Sequence, residues 1–304
     1  MKILITGANG LLGQKLIDYY REATNNEVVA TGRGSYRGFA LPENVRYVSM
    51  DIESKDSVEK VIGMEQPDAI IHGAAMTNVD ACEENKEACW KANVTAVEYL
   101  VGAAEEAAAF FVHVSTDFIF KGDEGPLTED ATPDPVNYYG DSKLEAEKIV
   151  MNSKLKWSIA RTVLVYGVTR GMSRSNIILW IKGSLENKKE IQVVDDQFRT
   201  PTLAEDLAKG CALIAEKSAE GVFNISGKDF LSPYEMAVKT AEYFNLDTSC
   251  MSKTDSSIFK QPAVRPLVTG FVIDKARKVL GYEPVSFEEG IEVVAQQFEA
   301  ASKD

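Results

Sequence analysis

The sequence predicts an α/β fold: a doubly wound parallel sheet with a smaller α+β portion. Three observations carry this. Short β-rich runs alternate with helix-length segments through the first half. Several of those runs are almost continuously apolar, as strands buried on both faces must be. A glycine-rich loop joins the first run to the first helical segment.

Taken in order, the strand candidates are Lys2–Thr6, Val28–Thr31, Val45–Met50, Asp68–His72, Phe110–Ser115 and Ser158–Val163. Between them, Leu11–Glu22 places Leu12, Leu16 and Tyr20 on one helical face, and Asn93–Ala109 is an alanine-rich helical stretch. The second half is patterned differently. Thr202–Glu205, Ser232–Glu235 (with Pro233 at the first helical position) and Ser286–Glu289 each have the capping-box spacing that starts a helix. Short strand candidates lie at Gln192–Val194 and Gly221–Ser226. The Gly-, Pro- and acid-rich stretch from Lys121 to Pro135 is expected to be a surface loop near the site.

"KILITGANGLLG" sets Gly7, Gly10 and Gly13 after a strand and at the opening of a helix. Glycines there permit a tight turn and close backbone approach to a pyrophosphate, beside free N–H groups and the positive end of a helix dipole. The context predicts a Rossmann-type dinucleotide site. The second strand ends in "VVATGRG", with no acid for the adenosine ribose but with Arg33. An arginine there can pair with a 2′-phosphate, so NADP is expected, with NAD as the alternative if Arg33 is simply solvated.

"YYGDSK" raises the question of which tyrosine works. On a helix Tyr139 and Lys143 lie within roughly 40° of one another, whereas Tyr138 is about 140° from Lys143. Only Tyr139 shares the lysine's face. A nearby ammonium favours the phenolate, so Lys143 is expected to lower the Tyr139 pKa toward the working range and make it a proton donor to, or acceptor from, a carbonyl–alcohol pair. "HVSTDFIF" places Ser115, Thr116 and Asp117 at the carboxyl end of the fifth strand, where open α/β sheets bind ligands. Thr116 can donate to the reacting oxygen.

Composition excludes other classes. A content of 45% hydrophobic and 26% charged residues is that of a soluble globular chain, and no apolar run suggests a membrane span. No leader is visible ahead of Lys2–Thr6, and the four cysteines form no C-x-x-C pair, so a cytoplasmic, reduced protein is expected. A formal charge of −13 disfavours nucleic acid. His72 and His113 are the only histidines, both within apolar runs, and read as satisfied strand histidines; no metal is expected.

These motifs resemble the extended short-chain dehydrogenase/reductases along the whole chain, and within them the dTDP-4-dehydrorhamnose reductase group. The matching segments are "TGANGLLG", with its G-x-x-G-x-x-G spacing, "GAAMTNVDACE", "AN" at Ala92–Asn93, "STDFIFKG", "YYGDSKLEAE", "RTVLVYG" and "DDQFRTPT". The resemblance implies that Leu11, Leu12, Ala74 and Val114 join the glycines around the cofactor, and that Asp51 and Ile52 lie by the adenine. It further implies that Ala75, Met76 and Thr77 flank the nicotinamide side, and that Thr116, Asp117, Tyr139 and Lys143 form the reacting centre. Two positions depart from the group: Phe118 replaces the usual tyrosine, and Leu164 stands where a substrate-contacting tryptophan is expected. Sister 4,6-dehydratases carry Thr-Asp-Glu, and Phe118 removes that acid, which argues against dehydration.

The second half would clasp the substrate through Arg174, Asn176 and Arg199, with Arg199 as a diphosphate clamp and Arg265 as a second cation. The expected organisation is a cofactor-binding portion at 1–167, with 203–226 returning to it, and a substrate portion at 168–202 and 227–304. The expected function is NADPH-dependent reduction of a 4-keto nucleotide sugar, with a homodimer admitted. Two alternatives stand: an NADP-holding regulatory subunit similar to the β subunit of methionine adenosyltransferase, or a sugar-nucleotide epimerase.

Overall fold

In a computed structural model, seven parallel strands form one sheet in the order β10-β6-β5-β4-β1-β2-β3. The structure describes residues 1–23, 26–170 and 176–301. The first half builds most of it: β1 (Lys2–Thr6), α1 (Leu11–Ala23), β2 (Glu27–Gly32), β3 (Val45–Ser49), α2 (Lys55–Glu65), β4 (Ala69–His72), α3 (Val79–Glu84), α4 (Lys86–Trp90), α5 (Ala96–Glu106), β5 (Phe110–Thr116), α6 (Tyr138–Met151) and β6 (Trp157–Thr162). The predicted doubly wound parallel sheet is thus observed, with each of the six predicted strands present and its ends shifted by at most a residue or so. The alanine-rich helix differs. It is broken at its start, where Lys91–Thr95 forms a π-turn between α4 and α5.

The strand order reverses between β1 and its neighbours β4 and β2, and such a reversal opens a crevice at the strands' carboxyl ends. Apolar layers cover both faces. On one, Leu16 and Tyr20 of α1 are fully buried with Leu207 and Cys211; on the other, Val58, Leu100 and Val150 pack over Leu4, Ile70 and Phe111. Each such side chain contributes about 1.5–3 kcal/mol. The buried Arg161–Glu147 pair bolts α6 to β6 through two bonds of 3.0 and 2.7 Å.

The remaining elements are β7 (Val165–Tyr166), α7 (Ile177–Glu186), β8 (Ile191–Val194), β9 (Thr202–Leu203), α8 (Ala204–Lys217), β10 (Gly221–Asn224), α9 (Pro233–Tyr243), β11 (Met251–Thr254), α10 (Asp274–Leu280) and α11 (Phe287–Ala301). β10 joins the large sheet beside β6, α8 packs on α1, and β8 pairs with β11. The capping boxes at Ser232–Glu235 and Ser286–Glu289 form. The one at Thr202 does not: Thr202 is buried and its hydroxyl donates to the Val163 carbonyl at 2.7 Å, a tertiary bond that replaces the local one.

Candidate active site

The glycine loop is shaped by backbone contact. Gly7 has φ +76°, and a Cβ there would lie 3.1 Å from the backbone of Ala74. The Gly10 amide closes the turn on the Gly7 carbonyl at 2.8 Å. A Cβ on Gly13 would collide with that same carbonyl and with Ala8 Cα. α1 therefore starts pressed against the loop, with the amides of its first turn at the strand ends. Leu12 packs 3.2 Å from where a Gly73 Cβ would stand, and Leu11 borders Gly167. A turn this tight, opening onto the amides at the start of α1, fits the pyrophosphate of a dinucleotide.

Asn9 ties the loop to the segment after β2: its Oδ1 accepts from the Arg37 amide at 2.8 Å, and its Nδ2 donates to the Ser35 carbonyl at 3.2 Å. Arg33 is 71% exposed and pairs with Glu53 at 3.6 Å. It stands at the surface where a ribose phosphate could displace a weak partner. Asp51 Oδ1 accepts from the Glu53 amide at 3.0 Å, and Ser54 caps α2. Ile52 is partly buried against the second apolar layer.

Beyond β4, Ala74 donates its amide to Thr6 Oγ1 at 3.2 Å. Met76 is held at both ends of its peptide by Asn93, amide to Oδ1 at 2.8 Å and carbonyl from Nδ2 at 3.0 Å. Asn93 Nδ2 also reaches Ser142 Oγ at 3.0 Å, and Ser142 donates to the Tyr139 carbonyl at 2.7 Å. Asn93 thus links the loop of Ala74, Ala75, Met76 and Thr77 to α6. Its signal in the sequence was only "AN" as a matching segment. Its placement follows from the π-turn, which turns Asn93 inward, and such turns often mark functional positions.

α6 begins at an Asn137 cap that accepts from the Gly140 amide at 2.8 Å. A Cβ on Gly140 would strike the Phe118 carbonyl, so the helix start seats directly on the turn after β5. That contact sets Tyr139 beside Thr116, near enough for the hydroxyl to act on the phenol. Thr116 Oγ1 also donates to Asp117 Oδ1 at 3.1 Å, and the Phe118 ring stands edge-on to Tyr139 at 5.8 Å. Tyr139 and Lys143 are buried on one face of α6, while Tyr138 points to Trp90 and lies under the Lys86 ammonium.

The electrostatics differ from expectation. Lys143 does not lower the Tyr139 pKa. Burial raises it above the ordinary value, with the Thr116 hydrogen bond acting in the opposite direction. The Lys143 ammonium is instead held by the Val114 carbonyl at 2.8 Å and His113 Nε2 at 3.1 Å, and burial lowers its own pKa to about 8. A phenol that keeps its proton is suited to donate it.

On the far side, Arg199 is 5% exposed. Its Nη1 donates to the carbonyls of Phe198 (2.8 Å) and Leu267 (2.7 Å), its Nη2 to that of Pro266, and its Nε lies 3.6 Å from Asp117 Oδ2. Thr269 also donates to that carboxylate. The guanidinium expected to fork onto a diphosphate is spent on protein acceptors, because the chain at 266–269 folds over it. Arg265 is likewise paired, with Asp80 at 3.0 and 2.6 Å. Asn176 caps α7 and donates to the Gly167 carbonyl at 2.8 Å; Arg174 lies outside the described residues. Thr77 is exposed at the rim, and Leu164 is 43% exposed at φ +38°. Among the described residues no cluster could hold a metal ion, and no helix is long and apolar enough to cross a membrane.

A dinucleotide cradle beside a buried Thr–Tyr–Lys set defines an oxidoreductase-type nucleotide-binding site on an extended short-chain dehydrogenase/reductase fold. The family model described as the RmlD substrate binding domain matches residues 1–300, and the chain belongs to that family. It is 33% identical over 263 residues to the methionine adenosyltransferase 2 subunit beta of Bos taurus, covering 84% of this chain and 76% of that protein. Among solved structures, it is similar to a dTDP-4-dehydrorhamnose reductase from Clostridium acetobutylicum (TM-score 0.86, 28% identity, 98% of this chain and 100% of that one). It is also similar to the Bacillus anthracis dTDP-4-dehydrorhamnose reductase in complex with NADP (TM-score 0.83, 27% identity, 97% and 99%).

Proposed function

We propose that the protein is an NADPH-dependent reductase of a 4-keto nucleotide sugar, with Tyr139 as the proton donor. The observation that carries this is the meeting of Tyr139, Thr116 and Lys143 in one buried place at the carboxyl ends of the strands, beside the glycine loop. The NADP complex of a similar structure supports NADP as the cofactor, with NAD as the alternative; Gly7, Gly10, Gly13 and the start of α1 would hold its pyrophosphate, and Arg33 its 2′-phosphate. Bound in its reduced form, it supplies the hydride for the carbonyl carbon. Tyr139 Oη gives its proton to the carbonyl oxygen, with the Thr116 hydroxyl beside that phenol to orient the reacting group. Lys143 places positive charge where the phenolate develops. Asp117 is committed to Thr269 and Arg199, and Phe118 offers no acid, so the site has no second carboxylate for eliminating water.

A second reading has specific support. The similarity to the methionine adenosyltransferase β subunit favours an NADP-holding regulatory subunit, and the burial of Arg199 removes one expected substrate contact. Incubation with NADPH and a panel of 4-keto nucleotide sugars, followed by loss of reduced-nicotinamide absorbance, separates the readings. Oxidation with at least one member is expected. Tight NADP binding with no oxidation across the panel would favour the regulatory subunit, and sugar interconversion without net oxidation would favour an epimerase.

A further inference from the structure

Thr6, His72 and His113 lie in one row across β1, β4 and β5, at the registers Thr6↔His72 and His72↔His113. All are buried, at 1%, 2% and 0% exposure. Thr6 Oγ1 meets His72 Nδ1 at 2.7 Å, the two imidazoles stand 5.4 Å apart, and His113 Nε2 meets Lys143 Nζ at 3.1 Å. A polar ring that is itself fully buried, between Val112 and Val114, is costly unless it has a task.

The bonding fixes that task. An ammonium has three donors and no acceptor. One goes to the Val114 carbonyl, so the group 3.1 Å away at His113 must accept the second. Nε2 therefore carries the lone pair and Nδ1 the proton. His113 Nδ1 has no hydrogen-bond partner among the described residues, so no path leads a proton onward, and His113 holds rather than relays. At His72 the opposite tautomer is expected: Thr6 Oγ1 accepts from the Ala74 amide and meets Nδ1 at 2.7 Å, and a hydroxyl giving its own proton there puts the ring proton on Nε2.

We infer that His113 is a positioning residue, a neutral acceptor that pins Lys143 to β5 and leaves one ammonium N–H for the cofactor and Tyr139. Neutrality matters. A carboxylate at this place would form an ion pair and cancel the positive charge that the phenolate needs. The α6 carboxylate that acts on the lysine, Glu147, is one turn on and is committed to Arg161. The other groups facing the lysine are the Cys89 thiol of α4 and the neutral His72 of β4, while the Tyr139 phenol lies on the same face of its own helix. The inference rests on the reading of Tyr139 and Lys143 as the reacting pair.

With two histidines in the chain, imidazole nitrogen NMR of the whole protein gives two resolvable rings, assigned by His72→Gln. The expected result is Nδ1–H for His113 and Nε2–H for His72. A His113 ring protonated at Nε2 would overturn the inference. The second arm compares His113→Gln, whose amide oxygen can accept in place of Nε2, with His113→Leu, which cannot. NADP affinity and the pH profile of NADPH oxidation are read for each. His113→Leu should weaken NADP binding about tenfold, as expected for loss of one charged hydrogen bond, and shift the profile; His113→Gln should stay near wild type. Equal behaviour of the two variants would refute the role, and if neither folds the wild-type tautomer decides. Tautomer and affinity need no substrate. A chain that shows both effects but oxidises no NADPH would sink the reductase reading and leave the positioning role standing.

Discussion

On the glycine-loop side of the site, the chain approaches itself through backbone. Gly7, Gly10 and Gly13 are glycines because a carbonyl or a Cα occupies the space a side chain would need. On the far side, contact is made by charge, buried at Arg199 and partly exposed at Arg265. Arg199 faces three carbonyls and Asp117, and Arg265 faces Asp80. A turn this tight at the start of a helix leaves backbone amides open to an anion. A buried guanidinium has two uses, ligand or scaffold, and here the segment at 266–269 has claimed it as scaffold.

The largest effect that tests this contrast is Arg199→Met. It leaves Asp117 buried without its cation, and stability should fall by about 3–5 kcal/mol at neutral pH, read by denaturant unfolding. Burial already raises the Asp117 pKa, so the loss should shrink in mild acid, where the orphaned carboxyl takes a proton. Unchanged stability with a raised KM would instead restore Arg199 as a substrate clamp. Next is Gly13→Ala, where the added methyl meets backbone that cannot yield. A loss of about 2–3 kcal/mol is expected, with NADP binding weakened in titration calorimetry. Normal binding by this variant would break the account of the cradle.

A smaller effect is acid sensitivity from the histidine row. Burial lowers the His72 pKa to about 3, and lowers that of His113 too. The unfolded chain then binds these protons more readily than the folded one. Stability is full above about pH 6.5 and is lost as pH falls below it. Melting temperature against pH should be less steep between those limits in His72→Gln than in wild type. Smallest is Arg265→Ala: its pair with Asp80 is partly exposed, at 21% and 31%, and should cost less than about 1 kcal/mol.

The same contrast explains what could be read in the sequence. The strands were legible because β1, β4 and β5 are apolar on both faces, and the glycine loop because its spacing has a single geometric meaning. The choice of helix face on α6 needed only the 100° rotation per residue. Arg199 was not legible as scaffold, since its partners lie 67 and 68 residues away at Pro266 and Leu267. The sequence reads His113 as a satisfied strand histidine; it is buried, but only Nε2 has a partner, Lys143, and Nδ1 has none among the described residues. No local pattern connects β5 to α6. The Tyr139 pKa went the other way for a similar reason: helical spacing puts Lys143 on its face, but depth decides that desolvation wins.

The central claim is that Tyr139 donates the proton. Single-turnover oxidation of bound NADPH with an accepted 4-keto nucleotide sugar, measured for Tyr139→Phe and Tyr138→Phe side by side, tests it most directly. Tyr139→Phe should be slower by about 10²–10⁴-fold with NADP affinity preserved, and Tyr138→Phe should match wild type. Loss of turnover in Tyr138→Phe with Tyr139→Phe active would contradict the account.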